Sequence, residues 1–180
     1  MDTRTVYFEK AGPENTEAAL ALARERAKAL GIRHVIVASS CGDTGARAAK
    51  LFADLNVIVV NGIYPERLVA EHRTAIEERG GRILCTGHAF GMLGRAVKKK
   101  LGAVQVDAVI AQVLKLFGEG TKVAAEITCM ATDAALVSPG TEVMAIGGSG
   151  RGADTAVVIR AAHTQDFFDT RMLEIVCKPR

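Results

Sequence analysis

Short, uninterrupted runs of β-branched residues alternate along this chain with longer stretches of helical periodicity. Two such runs, at residues 34–38 and 57–60, place Val or Ile at three or four consecutive positions. A strand with one face in water alternates apolar and polar residues, whereas a strand covered on both faces is apolar throughout. The segments between the runs carry apolar residues three or four positions apart, as at Leu20, Ala23 and Ala27. These patterns together predict a layered α/β domain with buried strands.

The same patterns predict the remaining elements. Further strands are expected at residues 6–8, 82–85, 122–128, 143–146, 156–159 and 173–177. Helices are expected from a cap at Asn15 or Thr16 to Leu30, and at residues 44–55, 68–76, 107–117 and 129–136. Since no repeat, low-complexity tract or linker interrupts the pattern, we expect one domain spanning residues 1–180.

Length and composition exclude several classes of protein. A chain of 180 residues buries roughly 70% of its unfolded surface, which is enough for a core without disulfides. Its apolar stretches are far shorter than the roughly 20 residues of a membrane-spanning helix, and its first residues lack the apolar region of a signal peptide. The net charge is only +3 and aromatic residues are 4% of the chain, a combination that disfavours nucleic-acid binding. We therefore expect a cytoplasmic protein that contacts neither membranes nor nucleic acids.

The four cysteines are widely spaced, at Cys41, Cys85, Cys129 and Cys177. Zinc ligands usually occur in pairs two to four residues apart, so no metal site is expected. Reduced thiols that pack as small hydrophobic side chains are the default. Cys41 is the exception to examine, because it precedes a predicted helix whose dipole would lower the pKa of a thiol and make it a better nucleophile.

The first segment that could bind an anion lies where a buried strand gives way to a helix. It offers hydroxyl groups, glycines and free helical N–H groups to a phosphate, through Ser39, Ser40, Gly42, Asp43, Thr44 and Gly45. It matches neither the Walker pattern nor the dinucleotide fingerprint. The alternative is a simple capped turn, in which Asp43 or Thr44 satisfies the first turn of the helix.

The second segment is a glycine-rich loop between two late strands. A tight hairpin needs only two loop residues, and this connection is much longer. Its backbone N–H groups and its one guanidinium group suit a phosphate, and its members are Gly147, Gly148, Ser149, Gly150, Arg151, Gly152, Asp154 and Thr155. The alternative is a flexible surface loop with a solvated Arg151.

Three further residues are candidates for catalysis or ligand contact. His88 follows a strand end together with Thr86 and could contact a ligand or move a proton, although a plain loop histidine fits equally well. Glu126 lies within a predicted apolar strand, where a carboxylate needs a partner such as Arg151, a hydroxyl group or a ligand. Cys41, His88 and Glu126 are therefore the catalytic candidates, with no role assigned.

The arrangement of these segments resembles the C-terminal domain of pyruvate kinase. It is closer still to a small stand-alone family with that fold, found mostly in archaea and some bacteria. The residues that carry the resemblance are Tyr7-Phe8, Glu14-Asn15-Thr16, Val37-Ala38-Ser39-Ser40, Gly42-Asp43-Thr44, Glu126-Ile127-Thr128, Met130-Ala131 and the run GRGADTAVV at residues 150–158. The resemblance implies a three-layer α/β/α fold whose mostly parallel sheet includes a late antiparallel strand. It also implies a site for a phosphorylated ligand, with flavin mononucleotide (FMN) as the associated cofactor.

Three functions remain open at this stage. The first is binding of a phosphorylated small molecule, such as FMN. The second is an enzyme on the same scaffold, either a flavin-dependent oxidoreductase or an enzyme that handles phosphoryl groups; pyruvate kinase activity is not expected, because the chain lacks that enzyme's barrel domain. The third is a structural module without a ligand. A homo-oligomer is also expected, through Phe167, Phe168 and an exposed C-terminal edge strand.

Overall fold

The computed structural model describes residues 3–180, which contain a seven-stranded mixed sheet. In chain order the strands are β1 (Val6–Phe8), β2 (His34–Ala38), β3 (Asn56–Val60), β4 (Arg82–Leu84), β5 (Glu142–Gly147), β6 (Thr155–Arg160) and β7 (Arg171–Pro179). Their order across the sheet is β1-β7-β6-β5-β2-β3-β4. Every neighbouring pair is parallel except the two that involve β6. The expected mostly parallel sheet with a late antiparallel strand is confirmed.

Helices cover both faces of the sheet. On one face lie α1 (Thr16–Leu30), α2 (Asp43–Leu51) and α3 (Ala70–Glu77). On the other, α6 (Glu119–Asp133) packs on the strands, α5 (Val106–Lys115) packs on α6, and α4 (Met92–Leu101) packs on α5. The longest helices, α1 and α6, have 15 residues, and none of the helices within residues 3–180 is long and apolar enough to cross a bilayer. The layers form the three-layer α/β/α architecture.

The consecutive apolar residues of the central strands serve two cores at once. Val35 and Val37 of β2 point to the core beneath α1 and α2, whereas Ile36 between them points to the core beneath α6. The same alternation holds in β3 and β5. Since successive side chains of a strand point to opposite faces, a strand with a core on each side must be apolar at every position, as the sequence indicates.

The predicted strand at residues 122–128 is wrong, and so is the separate short helix at 129–136. Both segments belong to α6, which is a single helix from Glu119 to Asp133. Twelve of its fifteen residues are buried, because the sheet covers one side of it and α5 covers another. A helix covered on most sides has no polar face, so its hydrophobic periodicity disappears and a short β-branched stretch resembles a buried strand.

The C-terminal strand is not an edge of the sheet, which overturns the expected route to oligomers. β7 pairs with β1 on one side and with β6 on the other. Phe167 packs edge-to-face against Phe90, with ring centroids 5.2 Å apart, while Phe168 stays exposed. The edge strands are instead β1 and β4, which have three residues each.

The outer helices of the α6 side carry a large exposed apolar surface. We call it the α4–α5 apolar face and define it by eight residues that are each at least half exposed, namely Leu93, Leu101, Val104, Val106, Val109, Val113, Leu116 and Phe117. Four of these residues, Val104, Val109, Val113 and Leu116, line one groove, and apolar patches of a few hundred Å² often have a function. The α4–α5 apolar face is therefore a feature that requires a physical explanation.

Close contact between α6 and the sheet depends on glycine. A Cβ on Gly147 would lie 2.5 Å from the carbonyl oxygen of Gly120, so Gly147→Ala should force α6 away from β5. We expect this substitution to lower the free energy of unfolding by about 1–3 kcal/mol, measured by urea denaturation followed by circular dichroism.

Gly80→Ala is the matched control for this substitution. Gly80 has a φ of +74° with no heavy atom within 4 Å of an added Cβ. Alanine there introduces backbone strain but no steric clash, so it should lower the free energy of unfolding by about 1 kcal/mol. Gly147 has no such positive φ. An equal or smaller loss for Gly147→Ala would show that the contact between α6 and the sheet is not tight.

Candidate functional site

The two anion-binding segments predicted from the sequence leave neighbouring strands at the same edge of the sheet. β2 and β5 are parallel and adjacent, with Val37 opposite Ile146. From β2 the chain moves outward to β3 and β4, and from β5 it moves the other way to β6 and β7. Ligands of open α/β sheets bind at such a reversal, beyond the carboxyl ends of the strands. We call this region the switch-point site and define it by residues 39–45, 61–62, 85–88 and 147–155.

The turn after β2 is largely built as a helix cap. The backbone N–H of Gly45 donates to Ser39 Oγ at 3.1 Å, so Ser39 performs the capping that the sequence suggested for Asp43 or Thr44. Asp43 pairs instead with Arg47, with Oδ2 and Nη2 3.1 Å apart, and Thr44 is buried. Ser40 and Cys41 remain exposed and are the side chains that this turn presents to solvent.

Both glycines of this turn have packing roles. A Cβ on Gly45 would lie 2.6 Å from Val59 Cγ1, so its glycine lets α2 approach β3. Gly42 has a φ of +95°, and a Cβ there would lie 2.6 Å from both Leu68 and His72. The segment before α3 therefore covers Gly42, and it also binds the Cys41 carbonyl oxygen through the Val69 N–H at 3.1 Å.

The glycine-rich loop after β5 folds over an anion that belongs to the protein itself. Asp154 is fully buried. Its Oδ2 accepts hydrogen bonds from the N–H groups of Gly12 at 3.2 Å and Ser149 at 3.1 Å, and its Oδ1 accepts one from Thr155 Oγ1 at 2.8 Å. Asp154 thus ties the loop to the segment before α1.

Three of the four loop glycines are explained by this packing. Gly147 contacts Gly120, a Cβ on Gly148 would lie 2.5 Å from the Gly152 carbonyl oxygen, and Gly152 lies against Thr16 and Pro13. Gly150 differs, because its φ is +93° and an added Cβ would meet no heavy atom within 4 Å. Beside it, Arg151 is exposed and makes no ion pair within residues 3–180. The open part of the loop is therefore Gly150 and Arg151.

A buried cluster of charged side chains lies between α6 and the segment after β4. Glu126 and Lys122 form an ion pair one helical turn apart, with side chains only 4% and 9% exposed. Glu126 Oε1 accepts the Phe90 N–H at 3.1 Å, and Glu126 Oε2 lies 3.4 Å from Nδ1 of His88. The partner of Glu126 is therefore Lys122, a residue that sequence reasoning missed because it placed both on a strand.

The environment of Glu126 favours its charged form. Burial by itself raises the pKa of a carboxyl group, but the contacts with His88 and Lys122 outweigh burial and hold the pKa of Glu126 below its usual value. Removing the charge of either member would leave the other buried without a partner, which is strongly unfavourable. Glu126 is therefore expected to be charged at neutral pH.

His88 connects this cluster to the switch-point site. Its Nδ1 is buried against Glu126, while a Cβ on Gly62, just after β3, would lie 3.5 Å from its Nε2. The His88 side chain is 31% exposed, and Thr86 nearby is also partly exposed. One end of the imidazole thus lies against a carboxylate, without a hydrogen bond to it. The other end lies at the carboxyl edge of the sheet.

A second residue that sequence reasoning missed is Asn61, at the end of β3. It is buried, its Nδ2 donates to the Ser40 carbonyl oxygen, and its Oδ1 accepts a hydrogen bond from Cys85 Sγ at 3.4 Å. One side chain therefore ties together the ends of β2, β3 and β4. The sequence signal for this role was an asparagine directly after a predicted buried strand. The residues that Asn61 bonds lie 21 and 24 positions away along the chain.

The cysteines divide into two groups. Burial raises the pKa of Cys129 to about 11 and that of Cys177 to about 12, so both behave as the expected inert hydrophobic residues. Cys41 and Cys85 are exposed. Within residues 3–180, no group of three or more His, Cys, Asp and Glu side chains is placed to hold a metal ion.

Comparison with solved structures gives a likeness of fold. No protein-family model matches the chain. Among solved structures, a pyruvate kinase from Cryptosporidium parvum is similar over 82% of this chain, with 14% sequence identity and a TM-score of 0.43. This chain covers 23% of that enzyme's length. At this identity the likeness concerns the fold alone and carries no inference about activity.

Separating Glu126 from Lys122 should be more damaging than removing both. Glu126→Leu leaves a buried ammonium group unpaired and should cost about 3–5 kcal/mol of unfolding free energy. The double variant Lys122→Met with Glu126→Leu removes both charges and should cost clearly less, measured by urea denaturation at pH 7. As a control, the exposed pair Lys115 and Glu119 should lose no more than about 1 kcal/mol when changed in the same way. Losses that simply add in the double variant would contradict the buried pair.

The stabilisation from Glu126 should depend on pH. Its pKa is lower in the folded state than the ordinary value of 4.5, so its contribution is complete above that value and is lost as the pH falls through the folded-state pKa. The difference in unfolding free energy between the native chain and Glu126→Gln should therefore be constant from about pH 6 to 8 and shrink in acid. A difference that grows in acid would mean that the carboxyl pKa is raised instead.

Proposed function

We propose that the switch-point site binds a phosphorylated small molecule, and that FMN is the first ligand to test. The observation that carries this proposal is the pairing of β2 with β5, which places the exposed Ser40 and the open Gly150 and Arg151 on the same edge of the sheet. Such an edge, at a reversal of strand order, is the usual ligand position in open α/β folds.

The phosphate group would be held by the open end of the loop. The Arg151 guanidinium group presents a fork of donors that suits two phosphate oxygens, and it has no competing carboxylate within residues 3–180. The space beside Gly150 lets a phosphate approach the backbone closely. The exposed Ser40 hydroxyl group and the N-terminal end of the α2 dipole add to the attraction for an anion.

The remainder of the ligand would lie towards the segments after β3 and β4. Thr86 and His88 are partly exposed there and supply polar contacts. Ile63, just after β3, is partly exposed and offers apolar surface, and Tyr64 beside it is exposed with the Arg67 guanidinium group 4.4 Å from its ring centre. These residues fit a flavin held mainly by aliphatic and polar groups. Bound FMN would supply electron or hydride transfer, and the chain's residues would bind and orient it.

The state of the catalytic candidates supports binding rather than chemistry by the chain itself. Both carboxylate oxygens of Glu126 are engaged, by Phe90, Lys122 and His88, so Glu126 fixes the position of His88 rather than acting as a free base. The carbonyl oxygen of Cys41 is bonded to the Val69 N–H, which fixes the backbone beside an exposed thiol. We therefore propose a ligand-binding or sensing role.

Comparing FMN with riboflavin tests this proposal. Riboflavin has the same ring without the phosphate group, so FMN should bind at least tenfold more tightly by isothermal titration calorimetry. Arg151→Ala should weaken FMN binding roughly 10- to 100-fold, the usual effect of losing a charged hydrogen bond, and should leave riboflavin binding unchanged. Visible absorption between about 350 and 500 nm reports any flavin retained during purification.

Arg79→Ala is the matched control. Arg79 follows α3 and donates to the Ala75 carbonyl oxygen, at the amino edge of the sheet, so its loss should not change the affinity for FMN. If FMN and inorganic phosphate both fail to bind at millimolar concentration, the proposal is wrong. If FMN and riboflavin bind equally well, the phosphate contact is absent and the proposed role of Arg151 is overturned.

A further inference from the structure

The outward side of α5 is an apolar stripe. Val106, Val109, Val113 and Leu116 are 75%, 52%, 50% and 82% exposed, and their spacing of three or four residues places them along one side of the helix. Leu116 follows the last residue of α5 but keeps helical dihedral angles. The opposite side of α5, with Ala111 buried, packs on α6. The stripe is therefore a helix surface without a partner among residues 3–180.

The size of the α4–α5 apolar face matches what a stable interface needs. An apolar side chain buries on the order of 100 Å², so at the observed exposures the eight residues offer roughly 500 Å². A standard interface covers about 800 Å² on each partner, of which roughly 60% is apolar, which is again about 500 Å². A groove of about 510 Å³ along α5, bordered by Lys98, Val104 and Gln112, gives the face relief into which side chains can insert.

The stripe is complementary to itself. Val109 and Val113 lie two residues on either side of Ala111, and Val106 and Leu116 lie five residues on either side. If two copies of α5 pack antiparallel, stripe against stripe, with the twofold axis at the level of Ala111 along each helix, Val109 of each copy meets Val113 of the other, and Val106 meets Leu116. A twofold contact requires this reciprocity, since residue i must meet j while j meets i. No charged residue interrupts the stripe, as is typical of the core of a homodimer interface.

We propose that the α4–α5 apolar face binds a second copy of this chain through antiparallel packing of α5 on α5. The sheet edges play no part in this dimer. β7 is paired on both sides, and the short strands β1 and β4 stay at the outer edges of each copy. The dimer does not depend on the proposed ligand site.

Sedimentation velocity of the full chain at micromolar concentration tests this proposal. The sedimenting species of the native chain should have a molar mass twice that of one chain. Val109→Glu and Val113→Lys should each raise the dissociation constant at least 100-fold, because each buries two charged side chains, one from each copy, against a valine that cannot pair with them. Circular dichroism checks that both variants, at exposed positions, remain folded. Leu51→Glu, at an exposed position on α2 in the opposite layer, is the control and should remain dimeric.

Combining the two substitutions in one chain tests the antiparallel arrangement itself. Position 109 of each copy then faces position 113 of the other with opposite charge, so the combined variant should regain the dimer to within about tenfold of the native affinity. A combined variant that stays monomeric overturns this pairing of helices. A native chain that is monomeric overturns the proposal. If that monomer also floats with vesicles of phosphatidylglycerol, the face is assigned to an anionic membrane instead.

Discussion

The close contact of α6 with the sheet is the constraint on which the rest of this structure depends. Gly147 of β5 and the Gly120 carbonyl oxygen lie so near each other that a single methyl group would not fit. The helix that results is buried on most sides. It carries Lys122 and Glu126 towards the carboxyl edge of the sheet and supports α5 on its other side. The candidate site and the exposed outer helices are both consequences of this placement.

Two buried carboxylates show how the chain satisfies its own interior charges. Glu126 is matched by Lys122, the Phe90 N–H and His88, and Asp154 is matched by two backbone N–H groups and a hydroxyl group. A buried charge without such partners would be very unfavourable. The partners link segments distant along the chain, so each carboxylate fixes a loop of the switch-point site. The groups of the switch-point site outside these networks are chiefly Ser40, Gly150, Arg151 and the exposed end of His88.

The outer helices differ from the switch-point site because their exposed side chains are mainly apolar. α5 is apolar on the side that packs on α6 and apolar again on the side that faces outward. An apolar helix face usually packs against a partner, and among residues 3–180 only the α6 side of α5 is covered. A second copy would complete its burial and brace α6, which carries the charged cluster. Assembly and ligand site would then share one helix while using different surfaces of the fold.

The sequence by itself determined the class of the fold and most of its strands and helices. The runs at 34–38 and 57–60 were correctly predicted as strands covered on both faces, and the helical spacing from Thr16 to Leu30 matches α1. Local pattern suffices there because burial imposes a period on each element. It also indicated correctly that the residues around Ser39 and Gly147 follow strand ends, and β2–β5 pairing then brought them to one edge.

Only the tertiary structure decided that residues 122–128 are helical, that Lys122 pairs with Glu126, and that β7 lies inside the sheet. It also showed why the two predicted segments contain glycines. Gly45, Gly147 and Gly152 make room for neighbouring backbone or side chains, and of the glycines in these segments only Gly150 has open space around it. Each of these depends on residues far apart in the chain, such as Gly12 and Asp154, which are 142 positions apart. A local pattern records whether a residue is buried, but the identity of what covers it is set by packing between distant segments.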